Sequence, residues 1–292
     1  MSGHLLAQAL VNGILLGLVY TVMALGLSLI MGVMGIVNLA HSAFIMLGSF
    51  LALELLQYFH IDPMISFVVA IPVFFAVGVV VYRLLVRRVE HASDNVGLLV
   101  LFGLMVVIES TAILIWTTDT RVVTVGYSNV RLGIGPLTLS APWLIVGAAA
   151  LLLVAALHGF IRYTLTGRAM RAIAQSRDAA AVLGIDVARL STAVFGLGIA
   201  SAAAGGVALA LIFPFAPQQH VQWLSWSFLV VIIGGLGGVG NTLIAGIMTG
   251  VVQTVLGAVL PFNLVYLAMY LLLATLMVVR SGALGGTRKR AL

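Results

Sequence analysis

The chain has 292 residues, of which 62% are hydrophobic and only 8% charged, with no cysteine at all. A mean hydropathy of +1.23 lies far outside the soluble range, and the missing cysteine excludes disulfides and thiol chemistry. The formal charge of +6 does not point to nucleic acid, because nearly all the arginine falls at the edges of apolar runs, where it reports orientation in a membrane.

A hydrocarbon core of roughly 30 Å takes about 20 apolar residues at about 1.5 Å each, which cuts this chain into about eight or nine spans. They fall near 6–31, 39–59, 63–86, 96–117, 142–161, 190–213, 241–260 and 262–280. The fold class is therefore an all-α, polytopic helical membrane protein, with residues 1–292 as a single transmembrane domain. The first run has no Lys or Arg before it and is too long for a cleaved signal, so it is expected to stay as a helix. The stretch 223–239 is apolar but ends in GGLGGVG, which leaves a short span, a re-entrant hairpin and a broken helix all open.

Arginine placement sets the expected sidedness. Arg83, Arg87 and Arg88, then Arg162, Arg168, Arg171 and Arg177, then Arg280, Arg288, Lys289 and Arg290 belong to the cytoplasmic side. The 118–141 loop has only Arg121 and Arg131 and belongs outside, with Asp62-Pro63 and Pro214 to Gln222. Counting spans from these loops places the N-terminus outside and the C-terminus in the cytoplasm, and favours nine crossings.

The segment 162–189 stands apart, with Arg162, Arg168, Arg171, Arg177 and Arg189 beside Asp178 and Asp186. Thr164 or Thr166 is placed to cap a helix over Arg168 to Leu183, and Gly184 stands where a left-handed C-cap belongs. Helical spacing puts Arg168, Arg171, Gln175 and Asp178 on one face and Met170, Ile173, Ala174 and Ala181 on another. A basic face against anionic lipid is one reading. The acids argue against it, since a mixed-charge helix is better suited to docking a protein.

Gly235-Leu236-Gly237-Gly238-Val239-Gly240 formally matches GxGxxG, but no Asp or Glu follows Asp186 and no soluble βαβ unit exists, so it is no dinucleotide fingerprint. A glycine break inside a membrane is tolerated only where protein buries it or a cavity adjoins it, which makes Gly234, Gly235, Gly237 and Gly238 candidates for lining a path. Gly32, Gly35, Met46 and Gly48 recur as Gly234, Gly237, Met248 and Gly250 at a constant offset, as in transporters built from internal repeats. Gly13 with Gly17, and Gly246 with Gly250, read as helix-packing pairs.

Intramembrane polar residues are Asn12, Asn38, His41, Glu54, Glu109 and Gln253. Glu54 and Glu109 fall toward outer span ends and read as interfacial carboxylates. Asn38 and His41 sit at the first glycine break and are the better path candidates, although a lone histidine is more often packing than a ligand. No second His or Cys lies at metal spacing. HExxH and GxSxG are absent, which disfavours an intramembrane enzyme, and without GxxxxGK[ST] the chain cannot handle ATP itself. A secondary transporter remains open on these residues, with Glu54 or Glu109 as a proton carrier, yet it has no evident need for the 162–189 loop.

Three segments carry a family resemblance. TLTGRAMRAIAQSRDAAAVLGIDVARL followed by FGLGIASAAAGG resembles the ATPase-coupling loop of the permeases of branched-chain amino acid (Liv-type) ABC importers. NGILLGLVYTVMALGLSLIMGVMGIVNLAHSAFIMLGS resembles their first spans, and FLVVIIGGLGGVGNTLIAGIMTGVVQ their late glycine-rich segment, so the match runs in order over most of 8–285. The family commonly has N-F-A-H-G-E where this chain has Asn38-Leu39-Ala40-His41-Ser42-Ala43, and a proline where it has Asn241-Thr242. Both departures bear on the solute rather than on the family. The resemblance implies a bacterial or archaeal cytoplasmic membrane protein with two ATP-binding-cassette ATPase subunits that use ATP and Mg, a second permease chain and an extracytoplasmic solute-binding protein. Its implied coupling residues are Gly167, Arg168, Arg171, Asp178 and Gly184. The implied solutes are branched-chain or related hydrophobic amino acids, then urea, short amides or small aromatic acids.

Overall fold

The computed structural model describes residues 3–90, 94–135 and 137–288. Lys289 and Arg290 lie outside them, as do the side chains of Arg280 and Arg288. In chain order the helices are α1 (Gly3–Met34), α2 (His41–Phe59), α3 (Pro63–Val81), α4 (Arg87–Val89) and α5 (Asp94–Trp116). A hairpin of β1 (Arg131–Ile134) and β2 (Leu137–Ser140) follows, then α6 (Ala141–Tyr163), α7 (Leu165–Gln175), α8 (Arg177–Val182), α9 (Val187–Ile212), α10 (His220–Gly234), α11 (Val239–Gly257) and α12 (Phe262–Arg288).

Seven of these segments are long and apolar enough to cross a membrane: α1, α2, the stretch Pro63–Val89, α5, α6, α9 and α11. A shorter apolar stretch occupies Asn263–Val279 of α12. The chain is thus a polytopic all-α membrane protein, and the small hairpin inside the 118–141 loop is a regular element the hydropathy reading passed over. Its strands are only four residues each, too short to register against the turn residues around them.

Local signals explain the helix ends. His60 takes a left-handed conformation at φ 54 and stops α2, and Asp62 accepts from Met64 N at 2.8 Å with Pro63 at the first helical position of α3. The stretch after α3 continues through a wider π turn over Tyr82–Val86 into α4, so the span does not end at its last regular turn.

Burial orders the bundle. The apolar windows of α1 and α9 are 83% and 89% buried against 17% for α5, which places α1 and α9 at the centre and α5 on the rim. The central helices approach through small residues: Gly26 of α1 faces the Gly198 carbonyl of α9, Gly48 of α2 faces Ala203, and Gly13 and Gly17 face Gly250 and Gly246 of α11. Close backbone approach is how helices bind each other in lipid, where burying apolar surface gives no advantage.

Two faces follow from the contacts between loops. On one, Arg177 at the start of α8 pairs with Glu90 just after α4, and Arg162 and Arg171 share a cavity with Gly237 to Gly240. On the other, Gln8 bonds Thr138 of the hairpin, Tyr127 bonds Asp62, and Arg121 bridges Phe215. We call these the α7–α8 face and the hairpin face. Arg83, Arg87, Arg88, Arg162, Arg168, Arg171, Arg177 and Arg189 all belong to segments at the first, while Arg121 and Arg131 belong to the second.

Candidate functional site

The segment 162–189 folds as two helices rather than the single helix expected over Arg168 to Leu183. Thr164 caps α7 by accepting from Gly167 N at 3.0 Å. At Ser176 the backbone turns extended (φ −158, ψ 112), and its hydroxyl accepts from Ala179 N at 3.2 Å to start α8. Serine competes well as a cap, and a cap in mid-sequence restarts a helix in a new direction. The expected faces change accordingly: Met170, Ile173 and Ala180 are buried, whereas Ala174 and Ala181 are exposed. Gly184 ends the unit at φ +81.

Gly167 acts by size rather than by backbone conformation, since a Cβ there would strike the Ile161 carbonyl at the end of α6. Arg168, Arg171 and Asp178 are exposed, and so are Leu165 (76%), Val182 (88%) and Leu183 (79%). Arg177 is not part of that free surface. It lies 3.3 Å from Glu90, whose side chain is 4% exposed and also accepts from Tyr82 Oη at 2.7 Å. Arg189 and Asp186 pair with each other at 3.0 Å. Glu90 escaped the sequence reading because it looked like one more charge at a span edge.

The glycine-rich turn lies directly behind α7. A cavity of about 400 Å³ is bounded by His158, Arg162 and Arg171 on one side and Gly237 to Gly240 on the other. Gly235 and Gly237 adopt φ +81 and +76, conformations that only glycine takes without strain. Ser28 of α1 pins the turn: its hydroxyl accepts from Gly237 N at 3.1 Å and lies 3.5 Å from the Gly235 carbonyl and 3.4 Å from Thr242 Oγ1. Gly238 caps α11, and Gly234 closes α10 against the Asn241 carbonyl. The turn at Gly237 abuts Gly32, so the two glycine clusters related by sequence offset meet in space.

Asn38 sits in the buried connection from α1 to α2 and His41 opens α2, both with no exposed surface. The His41 ring bonds the Met23 carbonyl at 2.8 Å, three turns inside α1, so the chain folds back along α1 before α2 begins. The Asn38 amide has no hydrogen-bond partner on either atom. Beside it Ser42 bonds His220 Nδ1 at 3.0 Å, and His220 Nε2 lies 3.3 Å from Glu109. Glu109 therefore joins α5 to α10 and is more than an interfacial carboxylate. His220 was invisible in the sequence because it follows a loop, with no periodic pattern to place it.

Toward the hairpin face, a cavity of about 470 Å³ is lined by Tyr20, Gln219, Gln222, Trp223, Gln253 and Tyr270, among others. Tyr20 donates to Gln253 Oε1 at 2.7 Å, and Trp226 stacks on Tyr20, Tyr266 and Tyr270 behind it. Among the described residues no cluster of His, Cys, Asp or Glu could hold a metal ion.

Small-residue helix crossings at the centre and apolar spans around them make this a polytopic membrane protein, with a short polar helix pair exposed at one face. The particular family follows from comparison: residues 9–280 match the family described as branched-chain amino acid transport system, permease component, and the chain belongs to it. It is similar to the high-affinity branched-chain amino acid transport system permease protein LivH of Escherichia coli K12, at 28% identity over 95% of each chain. It is also similar to the corresponding protein BraD of Pseudomonas aeruginosa, at 25% over 84% of each, and to the probable permease LivH of Methanocaldococcus jannaschii, at 24% over 90% of this chain and 87% of that one. No solved structure matches the chain.

Proposed function

We propose that this chain is the transmembrane permease subunit of an ATP-binding-cassette importer in a bacterial or archaeal cytoplasmic membrane, forming the path for branched-chain or related hydrophobic amino acids. The observation that carries the reading is the α7–α8 pair: Leu165, Val182 and Leu183 stand exposed next to Arg168, Arg171 and Asp178 on the arginine-rich face. Arginine-rich loops stay in the cytoplasm, so this face is the cytoplasmic one and the hairpin face is outside. With that orientation α10 descends from the outside, α11 returns and α12 descends again, which gives nine crossings from an outer N-terminus to an inner C-terminus.

Exposed apolar side chains ringed by charge suit a protein partner better than water. Two ATPase subunits, which bring the ATP and Mg, dock there, one on this chain and one on a second permease chain. The solute-binding protein delivers from the hairpin face. Closure of the ATPases pushes α7 and α8. Gly167 holds α7 tightly under α6, Gly184 fixes the exit into α9, and the Arg171 side of α7 bears on the turn of Gly234, Gly235, Gly237 and Gly238. The path opens between that turn and the α1–α2 connection, where Asn38 and His41 stand. The unpaired Asn38 amide costs roughly 1–3 kcal/mol while buried, and it gains water when the path opens, which helps balance the two states.

Purification of the tagged chain in mild detergent, with mass spectrometry of what stays attached, tests the proposal. A nucleotide-binding subunit retained by the wild type and lost from the double variant Arg168→Ala/Arg171→Ala supports it. A chain that emerges alone in both cases sinks it in favour of an autonomous porter.

A further inference from the structure

A second charged site lies at the hairpin face, away from the glycine turn. A cavity of about 370 Å³ opens between the end of α2 and the end of α5, and Glu54, Gln57, Trp116 and Arg121 line it together with the apolar side chains of Leu53 and Ile115. Trp116 holds both charges. Its indole Nε1 donates to Glu54 Oε1 at 2.6 Å, and its backbone carbonyl accepts from Arg121 Nη2 at 3.1 Å. Phe50 stacks on the indole ring at a centroid distance of 4.4 Å and keeps it in place.

The carboxylate and the guanidinium face the same cavity yet are held at opposite ends of one tryptophan, and among the described residues no ion pair joins them. Arg121 Nε is buried without a hydrogen-bond partner, and the carboxylate of Asp119, which its guanidinium reaches at 4.0 Å, is 73% exposed. Trp116 anchors the carboxylate and the guanidinium at separate atoms, which leaves a space with an anionic wall, a cationic wall and an apolar wall.

We propose that this cavity recognises the head group of a free α-amino acid, with the ammonium on Glu54, the carboxylate on Arg121 and an aliphatic side chain against Leu53 and Ile115. A zwitterion carries both charges on one carbon and satisfies both walls at once. An acid or an amine satisfies one and leaves the other desolvated, and urea or an amide satisfies neither fully. The inference rests on the permease reading and deepens it, because it assigns the residues of this chain that hold the two charges of the solute.

The test uses the full-length chain in lipid nanodiscs with its four tryptophans as 5-fluorotryptophan, so that each gives a ¹⁹F resonance, with Trp116 assigned by Trp116→Phe. L-leucine, 4-methylpentanoate and 3-methylbutylamine are titrated separately. The expected result is a saturable shift of the Trp116 resonance with L-leucine and not with the acid or the amine at equal concentration. Glu54→Gln and Arg121→Gln should each weaken it about tenfold, the worth of one charge-assisted hydrogen bond. The other three resonances report whether a variant has kept its fold. If one has not, the comparison of the three solutes on the wild type decides. An unmoved Trp116, an equal response to all three solutes, or a shift at Trp223 or Trp226 instead overturns the proposal. Leucine uptake by the assembled importer alongside an unmoved Trp116 removes this site and leaves the permease reading standing, whereas loss of the ATPase partner strikes that reading itself.

Discussion

Alanine at Gly32 and alanine at Gly240 should have opposite effects, although both glycines belong to the same pair of abutting turns. A Cβ at Gly32 would sit 2.7 Å from both Cα and N of Gly237 and 3.3 Å from the Leu236 carbonyl carbon. Ordinary carbon contacts lie at about 3.5–4.0 Å, so the overlap is about 1 Å, and it falls on backbone that Ser28 pins rather than on a movable side chain. At Gly240, in the first turn of α11, nothing lies within 4 Å of the added carbon. Both variants gain helix propensity, so the difference between them isolates the overlap, at about 1–3 kcal/mol. For a chain of this size that separates their thermal midpoints by about 2–10 °C. Fluorescence-detected size exclusion of the heated, detergent-solubilised protein reads it, with Gly32→Ala the lower. Coinciding midpoints would refute the claim that the glycine turn is seated on α1.

Ser176→Ala should remove the cap that starts α8, at about 1 kcal/mol, and raise amide exchange over 177–183 about fivefold while leaving α7 unchanged. Hydrogen exchange with mass spectrometry would show it, and uniform protection across 165–183 would mean one continuous helix after all. Arg177→Gln and Glu90→Gln should be non-additive by about 1 kcal/mol in a double-mutant cycle of thermal stability, because they form one contact between α8 and the end of α4. Additive losses would dissolve that link. Burial, and then the hydrogen bond to Asp62, push the Tyr127 phenol above its ordinary value, so the unfolded chain ionises there first. The stability from that shift is complete below about pH 10 and falls as pH climbs toward the folded value. Tyr127→Phe should therefore flatten the alkaline limb of the stability curve, and an unchanged slope would show that the phenol is not protected.

The spans were legible because twenty-residue apolar runs admit few other interpretations, and the sequence offered Thr164 or Thr166 as the cap of α7, of which Thr164 is the one that caps it. What escaped was set by tertiary contact. The fold-back of residues 35–40 exists because His41 finds the Met23 carbonyl, and no neighbour in sequence announces that. Ser176 looked like one polar residue on a helical face, yet its hydroxyl found the backbone of Ala179 and broke the periodicity. Glu54 and Glu109 looked interfacial by depth alone, whereas their roles depend on Trp116 and His220 from distant elements. Ser28 carried no signal at all, since a small hydroxyl in a long apolar helix is ordinary, and only the approach of the glycine turn gives it a purpose.

The account stands or falls on what touches the α7–α8 pair. Because the chain has no cysteine, Leu183→Cys introduces a unique thiol at a residue that is 79% exposed on that pair, and Tyr58→Cys does the same at the opposite face, at a residue 73% exposed. Native membranes are treated with a short thiol-to-amine crosslinker, and the products are identified by mass spectrometry. The account predicts that Leu183→Cys joins a nucleotide-binding ATPase with a yield that changes when ATP is added, and that Tyr58→Cys does not. An ATPase joined through Tyr58→Cys, or none joined through Leu183→Cys in a membrane that still transports, would contradict it.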